Sequence, residues 1–168
     1  MTSLIIGGEP QYVWKNLDEP GASPVGKSCV KVQMRPATGA DQGIAETNAR
    51  AHVTQIVSGD RAASDYALEH ADWAQAIADG DASLFSGIGY ILYAVELAML
   101  IGREMGGVVD PNGKAAPWDR RHVSMLMQSR RPGASALNGM ASIGSTYADS
   151  FMLIALEPAR RAAKEGKR

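Results

Sequence analysis

The sequence predicts a mainly α protein, in which a compact bundle of about five helices follows a small N-terminal β element, a strand or a hairpin. Three observations lead to this fold class. Residues 30–35 alternate with a period of two, the apolar residues after residue 38 recur with a helical period, and residues 84–101 are almost wholly apolar. With 168 residues and 45% hydrophobic content, the chain fits one domain, 1–168.

Within that domain we expect a β and turn element over 1–36, a helical core over 38–157 and a basic C-terminal tail over 158–168. The first part opens with the short aromatic stretch 11–14. The turn chemistry of 18–26 follows, with two prolines and two glycines in nine residues.

A half-buried strand is predicted by the stretch CVKVQMR. On a strand, its apolar residues would lie on one face and its polar residues on the other. The apolar face is Val30, Val32 and Met34, and the polar face is Lys31, Gln33 and Arg35. Pro36 ends the strand.

The first two helices are predicted by end signals and by apolar stripes. Thr38 and Asp41 resemble an N-cap pair, with Asp in place of the usual Glu or Gln, and Gly59 stands where a C-cap glycine belongs. A second helix is predicted over about 61–79. Its apolar face would be formed by Tyr66, His70, Trp73 and Ile77.

The most apolar stretch, 84–101, predicts a central helix that is buried by its own domain or by neighbouring subunits. Its length is close to the minimum for a membrane span, which is about 17–20 residues. Glu96 near its middle and the interior glycines Gly87 and Gly89 argue against insertion into a bilayer. We therefore expect no membrane partner.

The rest of the chain predicts a turn and two helices. Residues 110–113 read DPNG, with Asp, Pro and Gly at the positions that a type I turn prefers. A short helix is predicted over about 117–128 and a last helix over about 137–156. Pro158 either kinks that helix or starts a final basic turn.

Charge and cysteine content exclude several functional classes. The single Cys29 excludes a disulfide framework within the chain and fits a reducing compartment. The N-terminal stretch lacks the basic region and the long apolar run of a secretory signal. A net charge of −1 gives no general attraction to nucleic acid or acidic membranes, and the cations lack interleaved aromatics.

The charge is nevertheless uneven along the chain. From residue 110 onward there are ten Lys or Arg and five Asp or Glu, so this part carries +5 and the remainder −6. Such polarity favours self-association or docking on an acidic partner. The other interpretation is a solvated helix end whose cations complement the helix dipole.

Residues 21–28 read GASPVGKS, which matches the spelling of a phosphate-binding loop. Such a loop binds phosphate with backbone N–H groups at the start of a helix. Because the residues after Ser28 predict a strand, that helix is missing. The stretch 151–157, FMLIALE, mimics a buried strand ending in a Mg²⁺-binding acid but has helical periodicity. Nucleotide hydrolysis therefore stays a less favoured hypothesis. We predict no cofactor.

Candidate catalytic and metal-binding residues are few. His52 and His70 lie on the inner stripes of adjacent predicted helices, but a metal needs three or four ligands, so core histidines are favoured. No Gly-x-Ser-x-Gly nucleophile elbow occurs. Glu96 is interpreted as a perturbed acid or as a residue that bonds a neighbouring helix or subunit. We predict no enzyme and no catalytic or metal-binding residue.

Three segments then occur in a distinctive order. Residues 32–41 read VQMRPATGAD. Residues 93–127 combine an apolar helix, a Gly-Val turn with Asp-x-x-Gly, an Ala-Ala-Pro exit and a short helix. Residues 149–166 predict a helix with a proline and a charged end. This order resembles the tail assembly chaperones of long-tailed (siphovirus-like) bacteriophages or prophages. Ala37 stands where that family often has Leu, and Trp118 where a capping Ser or Thr is usual.

The resemblance implies a non-enzymatic protein of the host bacterial cytoplasm. Such chaperones bind the helical tape-measure protein, help to recruit subunits of the tail tube (the major tail protein) and are absent from the finished particle. We expect a homo-oligomer without nucleic-acid or membrane partners. The alternative is a virion structural protein, such as a head–tail joining component.

Adaptable methionines and C-terminal cations suit the binding of varied helical partners. The predicted protein-interaction residues are Met99, Met125, Met127, Arg160, Arg161, Lys164, Lys167 and Arg168. The other interpretation of the methionines is ordinary core packing.

Overall fold

The computed structural model describes residues 11–25, 28–66, 87–131 and 146–166. In these residues a three-stranded antiparallel sheet accompanies the helices, so the chain is a mixed α/β protein. The predicted class, a mainly α bundle of about five helices with a small β element only at the N-terminus, is therefore wrong. The reason is a strand from the middle of the chain that carries no strand pattern in the sequence.

The described residues form three strands, five α-helices and one 3₁₀ turn. The strands are β1 (Val13–Asn16), β2 (Lys31–Met34) and β3 (Gly102–Gly106). The helices are α1 (Gly39–Ser58), α2 (Gly87–Ile101), α3 (Arg120–Gln128), α4 (Tyr147–Ala155) and α5 (Glu157–Glu165), and the 3₁₀ turn is Ala63–Tyr66. Among the described helices, none has the length and apolar character needed to cross a bilayer.

The sheet has the order β1-β2-β3, and both pairs of strands are antiparallel. The predicted alternation of β2 is confirmed, because Val32 and Met34 are 0% and 2% exposed. Val32 pairs with Met105 in β3, and a bulge lies between Gln33 and Met34. In β3 only Met105 is a large buried apolar residue, so no period-two signal marks this strand in the sequence.

Two glycines, one in β3 and one just after it, allow the chain to approach Trp118 and the backbone of Cys29 closely. Gly102 lies beneath the ring of Trp118, where a Cβ would be only 2.5 Å from Cζ2 of the indole. Gly107, just after the strand, has a φ of +73°, and a Cβ there would overlap the backbone carbonyl of Cys29. These close approaches explain why glycine occupies these two positions.

Helix α2 is the centre of the core. It packs against α1, α3 and α4, and its side chains at Leu92, Val95 and Leu97 are fully buried. The prediction that this apolar helix is buried within its own domain is thereby confirmed for the described residues.

Helix α1 begins and ends as the sequence predicts. The Thr38 side chain accepts from the Asp41 N–H at 3.2 Å, and the Asp41 carboxylate accepts from the Thr38 N–H at 2.8 Å, which completes a capping box. Gly59 is the C-cap in the left-handed conformation. Arg35, at the end of β2, donates to both Asp41 oxygens at 2.7 and 2.8 Å and also to the Leu100 carbonyl at 3.2 Å. This arginine therefore ties the sheet to α1 and α2.

The later helices differ from the predictions at their starts. Of the predicted helix 61–79, the structure describes only the part up to Tyr66, so His70, Trp73 and Ile77 lie outside the described residues. The last helix does not run continuously from 137, because Thr146 is extended and forms a capping box with Asp149. Helix α4 therefore begins at Tyr147.

A turn lies between β3 and α3, and a proline lies where α5 follows α4. The predicted turn at 110–113 is confirmed by the hydrogen bond from the Gly113 N–H to the Asp110 carbonyl at 2.9 Å, and it closes a hairpin over 108–116. Pro158 lies in the first turn of α5, where a helix tolerates proline because the first N–H groups have no partner within the helix.

Candidate functional site

An apolar groove of about 230 Å³ lies between the hairpin 108–116, α3 and the start of α4. Its lining residues are mostly aliphatic, with four polar side chains among them: Val30, Val108, Val109, Asp110, Pro111, Ala116, His122, Met125, Leu126, Ser129 and Tyr147. We call this site the apolar groove.

The groove exposes large apolar side chains at its rim. Val109 on the hairpin is 65% exposed, and Met125 on α3 is 41% exposed. Beneath them, Leu126 and Ala116 are buried and form part of the core. The periodicity of α3 explains this arrangement, since Val123, Leu126 and Met127 face the core while Met125 faces outward.

The polar side chains of the groove are used inside the molecule. The Tyr147 hydroxyl donates to Asp18 at 2.6 Å, and the Ser129 hydroxyl donates to the Met125 carbonyl at 2.7 Å. Burial, together with the hydrogen bond to Asp18, raises the pKa of Tyr147 above its ordinary value. Because these hydroxyls already have hydrogen-bond partners within the protein, the wall of the groove suits an apolar side chain.

His122 forms a pair with the N-cap residue of α3. Its Nδ1 lies 2.9 Å from each carboxylate oxygen of Asp119, which also accepts from the His122 N–H at 2.8 Å. Burial alone would raise the pKa of Asp119, but the hydrogen bonds from His122 lower it below its ordinary value. This contact orients the imidazole at the groove. The described residues include no serine or cysteine bonded to this ring, which a nucleophilic mechanism requires.

Beside α3 lies a polar cluster with a buried carboxylate at its centre, which we call the Glu96 network: Glu96 of α2, His52 of α1, Tyr66 of the 3₁₀ turn and Arg120 of α3. The Glu96 side chain is 1% exposed and accepts from the Tyr66 hydroxyl at 2.7 Å. Arg120 donates to its two oxygens at 2.9 and 3.2 Å. His52 Nδ1 lies 3.1 Å from Glu96 Oε1 and also contacts the Tyr66 hydroxyl.

The protonation states in the Glu96 network follow from these contacts. Burial alone would raise the pKa of Glu96, but hydrogen bonds from Arg120 and Tyr66 and the nearby positive charges hold it below its ordinary value. Burial lowers the pKa of His52, and the charges of Arg61 and Arg120 lower it further, against the attraction of Glu96. Burial and the bond to Glu96 raise the pKa of Tyr66. One carboxylate charge is thus neutralised by one guanidinium, with a neutral imidazole beside them.

The Glu96 network positions the helix that forms one wall of the groove. Besides the Arg120 contact, Ser124 donates to the Tyr66 carbonyl at 2.6 Å, and Gln128 donates to the same carbonyl at 3.2 Å. Three successive turns of α3 are thereby bound to the Tyr66 and Glu96 pair. Of the two sequence interpretations of Glu96, the structure supports bonding to neighbouring elements. The sequence identified Glu96 as unusual but did not identify Tyr66 or Arg120 as its partners.

The predicted interaction residues occupy different environments. Met125 lines the groove, whereas Met99 is half-buried against the core and Met127 is fully buried. Arg161 and Lys164 are exposed on α5, and Arg161 pairs with Glu157. The Arg160 side chain, Lys167 and Arg168 lie outside the described residues. Among those predicted residues that the structure describes, only Met125 therefore lines the groove.

The match to a phosphate-binding loop lacks its structural context. The residues that follow Ser28 lead directly into strand β2, and the first described helix begins only at Gly39. A phosphate-binding loop requires the N-terminus of a helix immediately after it. Among the described residues, no cluster of three or more His, Cys, Asp or Glu is arranged to hold a metal ion.

Comparison with protein-family models, with curated proteins and with solved structures finds no match to this chain.

Proposed function

We propose that this protein is a non-enzymatic tail assembly chaperone that binds the helical tape-measure protein through the apolar groove. The observation that carries the proposal is the exposure of Met125 and Val109 at the rim of a groove that the described part of the chain leaves open. Eight of the eleven residues that line the groove belong to the segment 93–127, whose order of motifs resembles that family. An amphipathic helix binds such a groove with apolar residues spaced three or four apart.

The physical properties of the groove support a protein partner. Its aliphatic wall and its methionine offer adaptable packing, while its polar groups are engaged internally. The helix that carries Met125 is held rigidly by the Glu96 network, so little ordering is needed when a partner binds.

Co-purification with tape-measure fragments tests the proposal. We expect wild-type protein to retain at least one fragment on a sizing column. Met125→Asp should weaken retention by about tenfold or more, because a carboxylate would be buried in the groove. Val57→Asp is the matched control, since Val57 on α1 is 43% exposed and Met125 is 41% exposed. Clean separation of the wild-type protein from all fragments, or equal retention by both variants, would contradict the proposal.

The alternative, a virion structural protein, differs in one observable property. A chaperone is missing from purified phage particles, whereas a structural component remains in them. Mass spectrometry of particles from the phage or prophage that encodes this chain therefore decides between the two, and we expect its peptides to be missing.

A further inference from the structure

The outer face of the sheet carries aromatic and cationic side chains from all three strands. Val32 and Met105 point into the core, so their neighbours in register, Gln33 and Glu104, point outward. On this side lie Tyr12, Trp14, Lys31 and Arg103, which we call the aromatic face.

Trp14 reaches across the sheet from β1 toward β3. Its register partner is Gln33 in β2, yet a Cβ placed on Gly106 of β3 would lie 3.5 Å from its Cζ3. The same Cβ would lie 2.9 Å from Lys31 Cε, so a side chain at Gly106 would displace the lysine side chain, whereas its contact with Trp14 would be an ordinary one. The Lys31 ammonium lies 5.2 Å from the centroid of the Trp14 ring. Glycine at this position thus leaves room for the Lys31 side chain, whose ammonium lies over the Trp14 ring.

A second aromatic and cationic pair lies beside the first. The Arg103 guanidinium is 4.4 Å from the centroid of the Tyr12 ring, and its Nε donates to Gln33 at 2.9 Å. The hydrogen bond orients the planar guanidinium over the tyrosine. A guanidinium plane in this position is itself a surface on which a nucleic-acid base stacks.

The charge of this face is available to a ligand. In the described parts of the chain, no carboxylate forms an ion pair with Lys31 or Arg103, although the exposed Glu104 lies next to Arg103 in β3. By contrast, Arg35 is neutralised by Asp41 and adds nothing to the face. The face therefore combines flat π surfaces with unpaired positive charge.

We propose that the aromatic face binds single-stranded nucleic acid, with bases stacking on Trp14 and on the Arg103 and Tyr12 pair, and with Lys31 contacting a phosphate. Single-stranded nucleic acid is recognised by this combination of stacking planes and cations on an exposed sheet. An acidic peptide would use the cations but has no comparable use for two flat aromatic surfaces. The sequence alone does not indicate a nucleic-acid partner, because these aromatics and cations are separated along the chain and only the strand register brings them together.

Fluorescence anisotropy with a labelled 12-nucleotide oligothymidylate and the full chain tests this proposal. We expect saturable binding at low salt, and Trp14→Ala should weaken it by about fivefold or more because a stacking plane is lost. Trp14→Phe should largely retain binding. Lys31→Ala should weaken binding and reduce the slope of log affinity against log salt by about 0.7, while the control Lys114→Ala, an exposed lysine of the hairpin 108–116, should leave both unchanged.

Two further measurements exclude misfolding of the Trp14→Ala variant and simple charge attraction as explanations. Arg103→Gln changes an exposed residue, so it should fold normally and yet weaken oligothymidylate binding, even where Trp14→Ala disturbs the sheet. Polyglutamate of equal charge serves as the competitor. The proposal would be overturned if polyglutamate displaced oligothymidylate at equal charge concentration and if Trp14→Ala and Arg103→Gln bound oligothymidylate as well as wild type. These results together would show simple attraction to acidic polymers. Absence of oligothymidylate binding at low salt would overturn it as well.

Discussion

The Arg120 guanidinium binds both oxygens of the Glu96 carboxylate, at 2.9 and 3.2 Å, although the carboxylate is 1% exposed and the guanidinium side chain is 45% exposed. The pair thus spans the boundary between core and solvent. It joins the central helix α2 to the first turn of α3, which carries the apolar groove.

Removing Arg120 should be strongly destabilising. Arg120→Met leaves the Glu96 charge buried without its main partner, and we expect a loss of about 2–3 kcal/mol in the free energy of unfolding, below the value for a fully enclosed pair because water reaches the arginine. Adding Glu96→Gln should recover part of that loss, since the uncompensated charge disappears. Urea denaturation measures all three variants.

The exposed pair of Arg50 and Glu46 is the control for this experiment. Their side chains are 53% and 51% exposed, so Arg50→Ala should change stability by only about 0.5 kcal/mol or less. An equally small effect for Arg120→Met would mean that the Glu96 network does not hold α3 in place.

The protein should lose stability as the pH falls below about 6.5, and His52 should account for part of this loss. Burial lowers the pKa of His52 in the folded state, whereas the unfolded chain takes up this proton near its ordinary pKa of about 6.5. Between these two values the unfolded state binds more protons, so stability decreases with falling pH. His52→Gln should therefore reduce the difference in unfolding free energy between pH 7 and pH 5. Unchanged pH dependence in the variant would exclude His52 as a source.

Local elements of the fold were predictable because their signals lie within a few residues. The alternation that marks β2 needs only Val32, Met34 and their neighbours. The start of α1 needs only Thr38 and Asp41, whose mutual hydrogen bonds the structure confirms. In each case backbone geometry and local hydrogen bonding are sufficient, so the pattern can be recognised without tertiary information.

Strand β3 and the two sites were not predictable in this way. Gly102 and Gly107 fit their positions because of Trp118 and Cys29, which are distant in sequence. The partners of Glu96 come from three other elements, and no spacing along the chain indicates that they meet. Tertiary packing decides these features, and it overrides the propensity that suggested an all-helical chain after Pro36.

The contact between Arg35 and Asp41 gives a physical role to the segment 32–41 on which the family resemblance rests. Asp41→Ala removes the capping box and leaves the Arg35 side chain, which is 17% exposed, without its anion. We expect a loss of about 3 kcal/mol, whereas Thr38→Ala should lose about 1 kcal/mol because it removes a cap alone. Chemical denaturation of both variants at pH 7 measures which of them loses more unfolding free energy.

The pH dependence of the same pair has a definite sign. The hydrogen bonds from Arg35 hold the pKa of Asp41 well below its ordinary value, so its contribution to stability is complete above a pH of about 4 and is lost as the pH falls further. The difference between wild type and Asp41→Ala should therefore shrink between pH 4 and pH 2. A difference that stays constant over this range would show that the carboxylate charge is not the stabilising feature.

Gly107 and Gly59 provide a matched test of how closely β3 approaches the neighbouring backbone. Both have positive φ values, +73° and +82°, so alanine at either position adopts a strained left-handed conformation that costs about 1–2 kcal/mol. At Gly59 the added Cβ meets nothing within 4 Å, whereas at Gly107 it overlaps the Cys29 carbonyl. We therefore expect Gly107→Ala to lose at least about 2 kcal/mol more than Gly59→Ala in urea denaturation, because a backbone cannot move aside as a flexible side chain can. Similar losses for the two variants would mean that the chain around Cys29 shifts without breaking the pairing of β2 with β3.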